Sequence, residues 1–198
     1  MTNLSPPGMN LYNVIELPRG KEEALAPLIL RQQQAIGSRD LAFFLTLEPE
    51  QPPYLDKLEE RLEAFSRLTA RLRPEGIRCG ILVQSLLSHG ERGQPRSPAP
   101  FQRMVNADGS PLDAVFCPLD PGFREHVAEG MRRIARATPD FVLTDDDFRL
   151  VHVMPLSKGC FCPLHLHLFN ERTGRDFTRE TLLAHTAEAT PQGAVIRR

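Results

Sequence analysis

The sequence lacks an excess of charge of either sign, and it lacks any long apolar run. Lys and Arg number 24 against 25 Asp and Glu, which gives a net charge of -1 at pH 7. A nucleic-acid-binding surface needs a basic surplus, so nucleic acid is excluded as an expected partner. The first residues show neither the basic nor the apolar segment of a signal peptide, and no later run is long enough to cross a bilayer. We therefore expect a cytoplasmic protein with no membrane partner.

Length and composition fit one ordinary globular domain. The chain has 198 residues, of which 41% are hydrophobic, and this is sufficient to bury a core. No internal repeat is evident. Glycine, proline and charged residues gather in 90–100, a composition that predicts a loop. We predict a single domain over residues 1–198.

Strand-like and helix-like segments alternate along the chain. Continuous apolar runs are typical of strands in a parallel sheet, and an apolar residue at every third or fourth position is typical of a helix. The predicted strands are 11–17, 41–47, 77–83 and 141–144, and the predicted helices are 21–36, 54–73, 122–137 and 178–188. Gly37 stands where the first helix should end. The alternation predicts an α/β fold with parallel strands and right-handed crossovers.

Polar side chains lie at or just beyond the ends of these predicted strands. They are Glu16, Glu48, Gln84, His89 and the run Asp145-Asp146-Asp147. The carboxyl ends of parallel strands form one face of an α/β protein, so we expect these side chains to gather there. A run of three aspartates is often only solvated charge. Here it follows an apolar strand, which favours a catalytic interpretation.

Three of the four cysteines have the spacing of metal ligands. Cys160, Cys162 and His165 form a C-x-C-x-x-H segment, and one distant cysteine, Cys117, completes a tetrahedral shell. Four protein ligands predict a closed, structural zinc site. His167 competes with His165 as the fourth ligand, and the shorter spacing favours His165.

The cysteines have two other interpretations. They can be small apolar core residues, as free cysteines usually are, and we adopt this interpretation for Cys79. A disulfide between Cys160 and Cys162 would close a strained ring. Nothing in the sequence directs the chain to an oxidising compartment, so zinc is the favoured prediction.

Two segments resemble the β-galactosidase-like glycoside hydrolases, a retaining clan A family built on a TIM barrel. They are Cys117-Pro-Leu-Asp-Pro-Gly-Phe-Arg124 and Gly159-Cys-Phe-Cys-Pro-Leu-His-Leu-His-Leu-Phe169, with a predicted helix, a predicted strand and an acidic pair between them. The resemblance implies the same zinc site, in which His165 replaces a cysteine. It also implies that Asp147 is the general acid/base and that Asp146 replaces an asparagine that contacts the sugar. The chain is also similar to uncharacterised bacterial relatives that carry an Asp-Asp-Asp-Phe-Arg run before a Gly-Cys-Phe-Cys segment.

The resemblance covers the first four βα units of such a barrel. A complete barrel takes ~250 residues. A retaining glycosidase needs a second carboxyl group about 5 Å from the first, and this family supplies it from strand seven. The resemblance therefore implies a truncated half barrel without its nucleophile, with Glu16, Glu48 and Asp145 close to a carbohydrate substrate. Two open sheet edges predict self-association or pairing with the missing C-terminal half.

Two further functions stay open. The first is a zinc-stapled carbohydrate-binding or interaction module that has no catalytic activity. The second is a metal-dependent hydrolase in which Asp145, Asp147, His152 and His167 hold a catalytic metal. Chelation distinguishes the two kinds of site, because it removes the activity of a catalytic metal but loosens a fold that a structural metal holds together.

Overall fold

The structure is a computed structural model that describes residues 12–16, 20–49, 52–84, 86–87, 97–145 and 159–187. The contacts of the chain group into two compact units. The first unit comprises Met1–Leu86 and His126–Phe148, and the second comprises Leu87–Glu125 and Arg149–Arg198. The prediction of a single domain stays a prediction.

Six strands and five α-helices are present in the described part of the chain. In chain order they are β1 (Tyr12–Glu16), α1 (Glu22–Ile36), β2 (Asp40–Thr46), α2 (Asp56–Leu72), β3 (Arg78–Gln84), β4 (Arg103–Val105), β5 (Pro111–Phe116), α3 (Pro121–Arg136), β6 (Val142–Thr144), α4 (Pro163–Thr173) and α5 (Arg179–Ala187). A 3₁₀ turn, Arg73–Glu75, follows α2. Each predicted strand and helix is found, with bounds within two residues of the prediction.

The first unit contains a four-stranded parallel sheet with the order β1-β2-β3-β6. Val14 lies opposite Ala42, Leu41 opposite Cys79, and Ile81 opposite Val142. Each strand therefore pairs with the parallel strand that comes before it in the sequence, and the order never reverses. The predicted α/β class with parallel strands is confirmed.

The core of the first unit joins the sheet to the helices of that unit. In β2, Leu41, Phe43 and Leu45 are fully buried, as expected of an apolar run in a covered sheet. The apolar stripe of α2 is buried at Leu58, Leu62, Phe65, Leu68 and Leu72. The rings of Phe43 and Phe65 meet edge to face, 5.6 Å between centroids. Burial of each such side chain contributes about 1.5–3 kcal/mol.

Asp140 connects the start of β3 with the segment before β6. One carboxylate oxygen of Asp140 accepts a hydrogen bond from the backbone amide of Cys79, at 2.7 Å, and another from Arg73 Nε, at 3.2 Å. A second nitrogen of Arg73 donates to the carbonyl of Thr138, at 2.6 Å. Cys79 is fully buried, and this burial raises the pKa of its thiol to about 12. Cys79 is therefore an unreactive core thiol, as its sequence context indicated.

Gly80 allows a close approach between β3 and an aromatic ring. A Cβ atom at this position would overlap the Phe141 side chain. We predict that Gly80→Ala lowers the free energy of unfolding by about 1–3 kcal/mol, because an overpacked site must move the ring or the strand. Denaturant unfolding measures the change. In a Phe141→Leu background the same substitution should cost less, and an equal cost in both backgrounds would contradict the assignment to the ring.

The second unit contains an antiparallel hairpin that the sequence analysis missed. Strands β4 and β5 pair antiparallel, with Arg103 opposite Phe116. The turn between them places Gly109 at a φ of 93°, and the Asp108 carboxylate accepts hydrogen bonds from the amide and hydroxyl of Ser110 at 2.8 and 2.6 Å. An Asp-Gly pair between apolar segments is a hairpin signal, so the sequence contained this information.

The predicted loop 90–100 is described only in its last part. Residues 90–96 lie outside the described residues. Ser97 donates its amide to the carbonyl of Asp113 at 3.2 Å, and Ala99 is buried. This end of the segment therefore packs beside β5.

Candidate metal centre

Four predicted ligands are brought together in the second unit by the hairpin and by helix α4. Cys117 directly follows β5, and its amide donates to the carbonyl of Gln102 at 2.8 Å. Phe161, between Cys160 and Cys162, donates its amide to the carbonyl of Val105 at 2.8 Å and so attaches this segment to β4. Backbone hydrogen bonds thus position two sequence-distant segments side by side.

The start of helix α4 places the other two ligands. Cys162 is the N-cap residue, with extended backbone angles, and Pro163 occupies the first helical turn. Proline suits this position because its fixed φ matches a helix and its missing N–H has no helical partner there. His165 lies in the same turn, so its ring and the Cys162 sulfur project toward one point. The local sequence Cys-Pro-Leu-His builds half of the ligand set.

The ligand atoms have the spacing of a tetrahedral metal site. The Sγ atoms of Cys117, Cys160 and Cys162 and a ring nitrogen of His165 all lie within 4.8 Å of one another. Nδ1 of His165 is 3.3 Å from the Cys117 sulfur and 3.4 Å from the Cys162 sulfur, and these two sulfurs are 3.5 Å apart. Zinc bonds of about 2.3 Å to sulfur and about 2.0 Å to nitrogen place tetrahedral ligand atoms roughly 3.5–3.8 Å apart. The four residues therefore fit a zinc-sized ion after small shifts.

His165 is the histidine of this cluster. Among the described residues the group of potential metal ligands contains His165 and does not contain His167. The difference follows from helix geometry, since a residue two positions further along turns to another side of the helix. The described cluster thus contains the histidine that the spacing favoured, and its role as a ligand stays a prediction.

The cluster is buried on one side. Cys117 and Cys162 are completely buried, whereas Cys160 and His165 are half-buried. Thiolate and imidazole ligands on the edge of a core are typical of a structural metal that holds surface segments to a small hydrophobic centre. The solvent side of the cluster is thus formed by Cys160 and His165.

Contacts within the cluster favour negative charge on one of its sulfurs, that of Cys160. Interactions with the Cys117 and Cys162 side chains lower the pKa of Cys160 to about 3, with further lowering by the backbone amides of Cys162 and Val105. The hydrogen bond to Cys160 raises the pKa of Cys117, and the Leu119 amide, 3.4 Å from the Cys117 sulfur, opposes this. A divalent cation would replace the shared thiol protons and favour thiolates throughout. The amides of Val105 and Leu119 are functional contacts that the sequence analysis did not identify, because both depend on the fold around the hairpin.

The predicted residues at the strand ends are only partly described. Asp146, Asp147, His89 and His152 lie outside the described residues, and so does the side chain of Glu16. The Asp145 amide donates to the carbonyl of Val83 at 3.1 Å, which places Asp145 at the end of β6. The assignment of a catalytic acid/base to Asp147 and of a supporting role to Asp146 stays a prediction, as does the alternative hydrolytic metal site.

Glu48 lines a small recess at the end of β2. Thr46, Leu47, Tyr54, Leu55, Lys57, Leu58 and Arg61 also line it, and its volume is about 20 Å³. This volume corresponds to a water molecule rather than to a sugar ring. The role of Glu48 in substrate binding stays a prediction.

His126 holds the end of β2 in place. It is buried, and its Nε2–H donates to the carbonyl of Leu47 at 2.7 Å. The ring also meets Tyr54 edge to face, 6.2 Å between centroids. Burial lowers the pKa of His126 from its usual value of 6.5, against a smaller opposite effect of the hydrogen bond. His126 is therefore neutral in the folded protein near neutral pH.

This lowered pKa predicts that acid destabilises the first unit. Below a pH of about 6.5 the unfolded chain binds a proton at His126 that the folded chain does not bind, so the free energy of unfolding decreases as the pH falls. The slope is at most about 1.4 kcal/mol per pH unit and ends once the pH is below the folded pKa. His126→Gln keeps an N–H donor near Leu47 but does not titrate, so its unfolding midpoint should depend less on pH between 6.5 and 5. An unchanged pH dependence would contradict the prediction.

Comparisons with known proteins identify no family. No protein-family model and no curated protein matches the chain. Among solved structures the chain is similar to a hydroxymethylglutaryl-CoA lyase from Pseudomonas aeruginosa, with 15% sequence identity and a TM-score of 0.39. The match covers 72% of this chain and 36% of the lyase, so the chain spans about a third of that protein.

The resemblance to β-galactosidase-like glycoside hydrolases is therefore wrong. The solved structure described above is a lyase, and no family model supports a glycoside hydrolase. The physical reason is that the resemblance depended on a short cysteine-rich segment. Zinc imposes similar ligand spacings on unrelated proteins, so such a segment indicates the metal rather than the family.

In the described part of the chain, no helix is both long and apolar enough to span a membrane.

Proposed function

We propose that this chain is a zinc-binding protein in which Cys117, Cys160, Cys162 and His165 hold one structural Zn²⁺. The observation that carries the proposal is the convergence of four ligand atoms from two sequence-distant segments within 4.8 Å. Three thiolates and one imidazole are soft and borderline donors, the combination that zinc selects over magnesium or calcium. When bound, the ion would neutralise the charge of the thiolates and would cross-link the two segments that carry the ligands.

The ligand count favours a structural role over a catalytic one. A catalytic zinc keeps one coordination position for water or substrate, whereas four protein ligands close the shell. The alternative hydrolytic site would have to be a different site, because the described cluster contains no carboxylate. The zinc-stapled module is therefore the functional class that the described residues support best.

The second unit has a small hydrophobic core that a bound metal would stabilise. Its buried hydrophobic residues in the described ranges are Leu87, Ala99, Met104, Leu112, Val115, Phe116, Cys117, Phe123, Cys162 and Leu182. Helix α4 has no buried residue within its own bounds, Pro163–Thr173. Small cores usually need disulfides or metals to reach a stability of several kcal/mol. Zinc would attach the first turn of α4 to the end of β5.

The parallel sheet supports a second proposal, about architecture. A sheet whose strands follow the chain order without reversal is built as in a (βα)₈ barrel, whereas a doubly wound sheet reverses direction at a switch point. The two edge strands carry exposed valines, Val14 at 43% and Val142 at 40%. We propose a barrel-type sheet. An experimental structure with an antiparallel strand on β1 or β6 would contradict it.

Metal content tests the zinc proposal directly. We predict about one zinc per chain by mass spectrometry of the purified protein, and replacement by Co²⁺ should give the intense absorption of cobalt–thiolate bonds with the visible bands of a tetrahedral ion. Absence of both metal binding and these bands would refute the proposal. Cobalt bands of an octahedral, oxygen-ligated ion would show that metal binds elsewhere.

A further inference from the structure

Cys160 is the one cysteine of the cluster that is partly exposed to solvent. The Cys117 and Cys162 side chains are completely buried, whereas Cys160 is half-buried. Exposure therefore separates Cys160 from the other two cysteines, and the reactivity of a thiolate toward oxidants depends on its access as well as on its charge.

Cys117 is placed to react with an oxidised Cys160. It comes from the end of β5, and its sulfur lies within 4.8 Å of the Cys160 sulfur. The Cys162 sulfur also lies within 4.8 Å, but a disulfide between residues two positions apart closes a strained ring. The favoured pair is therefore Cys117 with Cys160.

We propose that the metal centre is a peroxide-sensitive switch in which Cys160 and Cys117 form a disulfide and zinc is released. The inference rests on the proposed zinc site and adds its regulation. The oxidant is a hydroperoxide such as H₂O₂. Zinc–thiolate centres are suited to this chemistry because the sulfur carries the reducing electrons while the metal does not change its oxidation state.

The reaction balances in two steps. The Cys160 thiolate attacks one peroxide oxygen, the O–O bond breaks, and one proton taken up with the departing hydroxide gives water and a sulfenic acid at Cys160. The Cys117 thiolate then attacks the Cys160 sulfur, the S–O bond breaks, and the hydroxide takes up a second proton to leave as water. Two electrons pass from the two sulfurs to the peroxide. Zinc loses two of its four donors and dissociates.

The disulfide would keep one of the attachments that zinc makes in the second unit and would remove another. It would keep the end of β5 attached to the segment before α4, but Cys162 and His165 would lose their shared metal. Since α4 has no buried residue within its bounds, its first turn should become more exposed to solvent. Oxidation thus exposes a specific helix terminus and does not simply unfold the chain.

The test uses the zinc-loaded full chain with Cys79→Ala, which leaves only the three cluster cysteines. H₂O₂ is added in the presence of a chromophoric zinc indicator. We expect one zinc released for each disulfide formed, full recovery of zinc binding after a dithiol reductant, and a cross-link between the tryptic peptides 104–124 and 159–172. Fragment ions should place the second sulfur at Cys160. A cross-link at Cys162, or zinc release without any disulfide, would overturn the assignment.

Two variants on the solvent side of the cluster form a matched pair. Cys160→His gives two thiolates and two imidazoles, a set that zinc accepts, and should slow peroxide-driven release by about tenfold or more because the accessible thiolate is gone. His165→Cys also keeps four ligands and keeps Cys160, so its release should be at least as fast as that of the parent chain. Equal rates in the two variants would refute the proposed role of Cys160.

The outcomes separate the inference from the function on which it rests. A chain that binds no zinc before peroxide is added refutes both the zinc proposal and the switch. A chain that binds zinc and retains it in excess peroxide leaves the structural zinc site intact and refutes the switch alone.

Discussion

Cys162→Ser is expected to abolish stoichiometric zinc binding and to lower the melting temperature of the chain. Structural zinc contributes about 10–16 kcal/mol of apparent binding free energy in small zinc domains, so losing a thiolate ligand removes a large part of the stability of the second unit. Serine is nearly the same size as cysteine but is a poor zinc ligand. Zinc content and thermal melts of the parent chain and of the variant measure the loss of zinc and the loss of stability.

This substitution separates the metal from the helix that begins beside it. Cys162 is the N-cap of α4, and serine is among the preferred N-cap residues, so capping should be kept or improved. Any loss of stability therefore reports the ligand. Amide hydrogen exchange should show lost protection in α4 and in the β4–β5 hairpin, which contribute the ligands and their backbone contacts.

Cys79→Ser is the matched control for this prediction. Cys79 is also completely buried, and its side chain already contacts a backbone acceptor, the Ile77 carbonyl, at 3.8 Å. It therefore undergoes the same chemical change in a core position outside the cluster, and the variant should retain one zinc per chain. If Cys162→Ser also retained one zinc with an unchanged melt, the cluster would be a group of core thiols.

Much of the first unit could be predicted from the sequence because its signals are local. The apolar run in β2 and the apolar stripe in α2 mark the side chains that are buried on folding. The bounds of both elements lie within two residues of the predicted bounds. Gly37 ends α1 at a φ of 68°, a backbone angle that glycine adopts without steric cost. In these elements, local preference and tertiary packing agree.

The residues of the Cys/His cluster could be predicted from the sequence, but the backbone contacts that position them could not. The spacing of Cys160, Cys162 and His165 is a local pattern, and Cys117 is the remaining cysteine once Cys79 is assigned to the core. The hairpin that places Cys117 has one local signal, the Asp108-Gly109 turn, but its pairing was missed because the short β4 carries little apolar periodicity. The contact of Val105 with the Cys160 segment is long-range, so no window of sequence contains it.

The family prediction failed because a ligand pattern and a fold carry different information. A C-x-C-x-x-H segment is constrained by the ion, and the same constraint acts in proteins with no common ancestor. The order of strands, by contrast, depends on every crossover in the unit. The Cys/His cluster and the parallel sheet are therefore independent findings, and the loss of the glycosidase resemblance affects neither.

His165→Ala is expected to weaken zinc binding by about a hundredfold or more, whereas His167→Ala should leave it within about threefold. The first variant replaces an imidazole ligand with water. It also removes the contacts of His165 Nδ1 with the sulfurs of Cys117 and Cys162, which are 3.3 and 3.4 Å long in the parent chain. The second variant removes a histidine from the same helix without touching the cluster of described ligands. Competition with a chelator of known affinity measures both dissociation constants.

The rescue variant makes this comparison specific to coordination. His165→Cys restores a fourth donor and should bind zinc much more tightly than His165→Ala, although the side chain is shorter. A purely structural role of the imidazole, in which its ring only fills space, would leave His165→Cys as weak as His165→Ala. A loss of affinity in His167→Ala equal to that in His165→Ala would instead show that the two histidines exchange as ligands, and the first turn of α4 would then have to rotate when zinc binds.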